Sequence, residues 1–139
     1  MIQAIQTLNY LHVFVVAVAG FILGWLWYSG LFGQAWRAEM KITPQAMEEG
    51  RGQMGRMMAT AFLFTLLSTF GLAVLVAAHR SAGALKGAEL GAFVGAVVVG
   101  GRMLNSSVWE NRSARLLRIN LGHEIVLFAL QGALLGLWR

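Results

Sequence analysis

Residues 119–138 read INLGHEIVLFALQGALLGLW. A helix of about 20 mostly apolar residues covers a bilayer core about 30 Å thick. This stretch has that length and that character. It also carries His123 and Glu124 side by side, with Asn120 and Gln131 on either flank. Long unbroken apolar runs favour helices over strands, since every backbone polar group must find its partner inside lipid. A small β-barrel would alternate polarity over about ten residues, and no such alternation is present.

Three more segments have the same character. They span about 9–29, 57–78 and 87–107, and the last span covers about 116–138. The expectation is an all-α membrane protein: one domain over residues 1–139, a four-transmembrane-helix bundle with a longer first loop. Composition agrees. The chain is 58% hydrophobic and 12% charged, with one proline and no cysteine. Soluble domains carry about 25% charged residues. The lack of cysteine removes disulfides, thiolate nucleophiles and Cys-ligated metals. The first span has no Lys or Arg before it and is long for a signal-peptide core, so a retained helix is expected.

The net charge of +5 does not point to nucleic acid. The basic residues sit in short connections, where topology and anionic lipid headgroups account for them. Arg37, Lys41, Arg51, Arg56, Arg102, Arg112, Arg115 and Arg118 fall on one side, and Arg80, Lys86 and Arg139 on the other. The positive-inside rule then puts both termini outside a cytoplasmic membrane. Trp25, Trp27, Tyr28, Trp109 and Trp138 lie near span ends, where an interfacial aromatic belt is expected. Thr43 followed by Pro44 signals a helix start, and EGRGQMG signals a bend before the second span.

Helix association in lipid rests on close packing and hydrogen bonds. Gly20 and Gly24, then Gly87, Gly91 and Gly95, then Gly132 and Gly136 recur at spacing four. Thr60, Thr65, Ser68 and Thr69 add hydroxyls to the second span. On a wheel of 3.6 residues per turn, Asn120, Glu124, Gln131 and Trp138 form one stripe flanked by His123, with the glycines roughly opposite. The last helix should therefore be packed on two sides, or line a wet crevice on one. A charge near mid-bilayer costs about 2.5–3.5 kcal/mol on insertion scales. Glu124 thus needs a proton or a partner. Arg102 is the expected partner, because both lie within about 10 Å of the midplane on the same side; the alternatives for Arg102 are the cytoplasmic headgroups or Glu110. Arg102 and Asn105 complete the set of polar intramembrane residues.

Two stretches carry a resemblance. WYSGLFGQAW contributes Trp27, Tyr28, Ser29, Phe32, Gly33 and Trp36. The C-terminal part contains WENRS, INLGH and GALLGLW, contributing Asn105, Glu110, Arg112, Ile119, Asn120, Gly122, Gly132 and Trp138. Together they resemble a widespread, mainly bacterial family of small four-helix integral membrane proteins of unknown function. The resemblance covers nearly the whole chain and implies a bacterial inner-membrane location. The family pattern has an aromatic residue at position 123. His123, like Arg102 and Glu124, therefore departs from it.

Glycines 30 and 33 permit a tight turn or a close approach after Tyr28. Glu110 and Arg112 are placed to clamp the third connection to the first loop. No converging acids, bases or metal ligands mark an enzyme. The expected role is an oligomerising module or an accessory subunit, with partners in lipid, in further copies of the chain or in other membrane subunits. A small proton-coupled transporter or channel using Glu124 and His123 is the alternative. A lesser one is contact with a pigment, haem or quinone, with His12, His79 and His123 as candidate ligands. No resident cofactor is expected.

Overall fold

The computed structural model describes residues 2–138, and Arg139 of the charge count lies outside the described residues. All described elements are helical, with no strand among the described residues. A short α1 (Ile2–Gln6) precedes α2 (Tyr10–Leu31), α3 (Gly33–Glu39), α4 (Pro44–Ala78), α5 (Ala84–Trp109) and α6 (Ala114–Leu137). The helices α2, α4, α5 and α6 are each long and apolar enough to cross a membrane.

Local chemistry fixes their ends. Asn9 caps α2, its side-chain oxygen accepting from the backbone N–H of Leu11 and His12 at 3.1 and 3.2 Å. Thr43 caps α4 with Pro44 in the first turn, and Ser113 caps α6. Each oxygen satisfies donors that the first helical turn leaves free. Lys41, Arg80 and Asn111 take left-handed backbone conformations and terminate α3, α4 and α5.

The second span begins earlier than the glycine-rich segment suggests. Pro44–Gly50 runs through a single 3-10 turn, Arg51–Gln53, into Met54–Ala78, giving a 35-residue helical run. At the glycine-rich segment the regular helix is interrupted by that 3-10 turn and not by a loop, with Gly50 in a right-handed backbone (φ −77°). Residues 51–61 are exposed all round, so the N-terminal part of α4 projects beyond the bundle.

The most buried helix is α6, with 44% of its most apolar window buried against 22% for α2 and α5. One side faces α5. There a Cβ on Gly87 would run into the Gly132 carbonyl, and one on Gly132 into the Gly87 carbonyl. Side chains are excluded, so the two backbones touch. Gly91 and Gly95 meet Phe128 and Glu124 backbone in the same way, and the Gly83 N–H donates to the Gly136 carbonyl at 2.8 Å. The other side of α6 faces α2 and α4. Val13, Val16, Leu72, Ala73, Val76, Phe128 and Leu135 form the core there. Gln131, fully buried, donates from Nε2 to the Thr69 hydroxyl at 2.8 Å. Thr60, Thr65, Ser68 and Thr69 all bond back to α4 carbonyls.

Two wide turns set side-chain direction. Leu26–Leu31 of α2 and Val94–Val99 of α5 are π-helical. A π turn holds one extra residue, rotating everything beyond it by about 100° against a regular helix.

Candidate functional site

The polar residues of α6 meet the motif residues of α2 at the bundle end that carries the first and third connections. His123 is buried, and its Nδ1 lies 3.1 Å from Oε1 of Glu124. Neighbouring positions on a helix point about 100° apart, yet these two side chains bend together. The ring of His123 packs against Tyr28 (4.9 Å between centroids) and Trp27 (5.8 Å). Its Nε2 is buried without a hydrogen-bond partner among the described residues and faces Gly24. Gly24 makes room for the imidazole, as Gly20 makes room for Gln131.

Arg102 does not pair with Glu124. Positions 87, 91, 95 and 102 would share one face of a regular helix. The π turn intervenes, so Gly100 takes the inward place against Leu121 and Arg102 is exposed. Asn105 is exposed as well. Glu110 also pairs elsewhere, with Arg112 two residues on. The expected clamp between the third connection and the first loop is made by other residues. Ser113 donates to Glu39 on α3, and Arg115 Nη1 lies 3.9 Å from the same carboxylate.

Trp27 and Tyr28 make helix contacts that the reading as an aromatic belt does not include. Both are half-buried at the α2–α6 contact. Trp27 Nε1 donates to the Ile119 carbonyl at 3.1 Å, and the Tyr28 hydroxyl donates to Asn120 Oδ1 at 3.2 Å. Phe32 folds back on Trp27 (4.7 Å) and Trp36 meets Tyr28 edge-on (5.4 Å). Gly33 is required by close approach, since a Cβ there would lie 2.8 Å from the Tyr28 carbonyl, whereas one on Gly30 would meet nothing within 4 Å. Ser29 bonds back to the Trp25 carbonyl. Trp25 and Trp109 are exposed, and Trp138 stacks on His12 (4.6 Å).

Between these elements lies a crevice of about 290 Å³ lined by Tyr28, Trp36, Met40, Met103, Arg112, Asn120 and Glu124. A family model described as Protein of unknown function (DUF1761) matches residues 11–136. The chain belongs to this family. No curated protein and no solved structure matches it. In this DUF1761 member the WYSGLFGQAW and INLGH segments contribute Tyr28, Trp36 and Asn120 to one crevice.

Glu39, Met40 and Met103 were not singled out by sequence. A lone methionine beside a charged residue carries no signal of a pocket wall, and Glu39 reads as an ordinary loop acid. A second crevice, of about 210 Å³, lies at the opposite end between Thr7, Asn9, His12, Ala77, Leu135 and Trp138. Among the described residues no three His, Asp or Glu side chains converge as a metal site.

Proposed function

We propose that this membrane protein moves protons, alone or coupled to a solute, using Glu124 and His123 as the exchanging pair. The observation that carries this is the 3.1 Å contact between the two side chains with Glu124 on the wall of an open crevice. A carboxylate reached from one end can take up a proton and share it with the imidazole. The second crevice sits at the other end, and the packed core residues Val16, Leu72 and Phe128 line neither crevice. Two vestibules and an intervening barrier are what alternating exposure of a site requires. We place the first crevice in the cytoplasm, because the connections around it carry most of the Lys and Arg. The test is a sealed vesicle holding the purified protein and a pH-sensitive dye. Proton flux under an imposed gradient should be lost in Glu124→Gln and slowed in His123→Phe. Flux no greater than that of empty vesicles overturns the proposal.

An assembly role is the second reading, with no catalysis by the chain itself. It no longer draws on the glycine stripes, which are consumed within the chain. It draws on the projecting part of α4, where Met47, Met54, Met57 and Met58 are all exposed. Methionine adapts to varied apolar partners. Native mass in mild detergent decides: a defined oligomer or bound subunit lost on Met54→Gln/Met57→Gln/Met58→Gln supports it, and an unchanged monomer rejects it.

A further inference from the structure

The crevice has a composition that selects among ligands. Tyr28 and Trp36 meet at 61° and form an aromatic corner. The Tyr28 ring is held in place by its hydroxyl bond to Asn120. Glu124 supplies a carboxylate, and Met40 and Met103 supply polarizable apolar wall. The cation on the rim, Arg112, is already neutralised by Glu110. An acid beside two aromatic rings attracts a positive charge carried on an apolar body. The volume is close to the lower end, about 300 Å³, of small-molecule pockets.

We propose that the crevice binds a small organic monocation, a substituted ammonium, with the charge at Glu124 and the Tyr28–Trp36 corner and the apolar part against Met40 and Met103. This rests on the reading of Glu124 as the working carboxylate and names what it exchanges for a proton. Arg112 and Glu110 cancel at the rim, which leaves Glu124 as the one uncompensated carboxylate of the crevice and matches it to a single positive charge. The ammonium has two sources of the same chemistry, a free amine or the choline or ethanolamine headgroup of a lipid.

The test is equilibrium binding of benzyltrimethylammonium to the full chain in phosphatidylglycerol nanodiscs, followed by calorimetry. Saturable one-site binding is expected, weakened at least tenfold in Glu124→Gln and several-fold in Trp36→Leu. Met40→Trp, a rim substitution that fills the crevice without touching the buried pair, should abolish it. Arg112→Gln frees the Glu110 carboxylate at the rim, so it should tighten binding and admit a dication such as decamethonium. Competition by phosphatidylcholine added to the disc would identify a headgroup as the source, and absence of competition a free amine. Equal affinity in wild type and Glu124→Gln overturns the proposal, as does the absence of saturable binding to the wild type. Because binding needs no transport, intact binding without proton flux would remove the transport reading alone.

Discussion

His123 Nδ1 lies 3.1 Å from Oε1 of Glu124, while Arg102 on the neighbouring helix is exposed and makes no ion pair with that carboxylate. A double-mutant cycle separates the two relationships. Coupling between His123→Phe and Glu124→Gln should reach about 0.6–1.7 kcal/mol, the range of interhelical and intramembrane polar contacts. Arg102→Gln and Glu124→Gln should add within about 0.5 kcal/mol, as independent sites do. Reversible unfolding in detergent measures both. A large Arg102–Glu124 coupling would mean that the π turn at Val94–Val99 does not persist in lipid.

That π turn also marks the limit of what the sequence discloses. The four spans are legible, because length and hydropathy alone define them, and so is the two-sided packing of α6, which follows from the wheel positions of Gln131 and Gly132. Azimuth beyond a π turn is not. VGAVVV has no residue that announces the extra position, and without it Arg102 would share the face of Gly95. The Trp27 contact is illegible for a related reason. A tryptophan near a span end reads equally as lipid belt or as helix contact until its neighbours are known.

Gly87 and Gly132 offer a sharper mutational contrast than the polar groups. A Cβ at either meets the other helix's carbonyl, so the helices must part. Gly132→Ala should cost about 1–3 kcal/mol, the usual range for overpacking. Gly71 in α4 has nothing within 4 Å of a built Cβ. Gly71→Ala should instead stabilise the helix by up to about 1 kcal/mol. Thermal denaturation of the two variants checks the sign of each change. Similar effects would show that α5 and α6 do not touch.

Trp27 and Trp109 should differ although both lie near span ends. Trp27→Phe loses the Nε1 bond to Ile119 and part of the packing on Gly122. The lost hydrogen bond alone is worth about 1 kcal/mol. Trp109 is 83% exposed, so Trp109→Phe should change stability by less than about 0.5 kcal/mol. Tryptophan emission offers a second readout, since quencher placed in the aqueous phase should reach Trp109 and not Trp27.

The Gln131–Thr69 bond should respond asymmetrically to loss of either partner. The Thr69 hydroxyl donates to the Thr65 carbonyl at 2.7 Å while accepting from Gln131. Gln131→Met therefore leaves Thr69 with a satisfied donor and a side chain of similar size at 131, and also removes the amide oxygen Oε1, which has no partner among the described residues. Its cost should stay below about 1 kcal/mol. Thr69→Val does the reverse. It strands the whole Gln131 amide in a site with no exposure, against the backbone of Gly20. A buried polar group left without its partner costs about 1–3 kcal/mol. Thr69→Val/Gln131→Met should then recover most of that loss, because the stranded amide is gone. Unfolding free energies of the three variants test the ordering, and a double variant weaker than Thr69→Val alone would show that the amide has another partner.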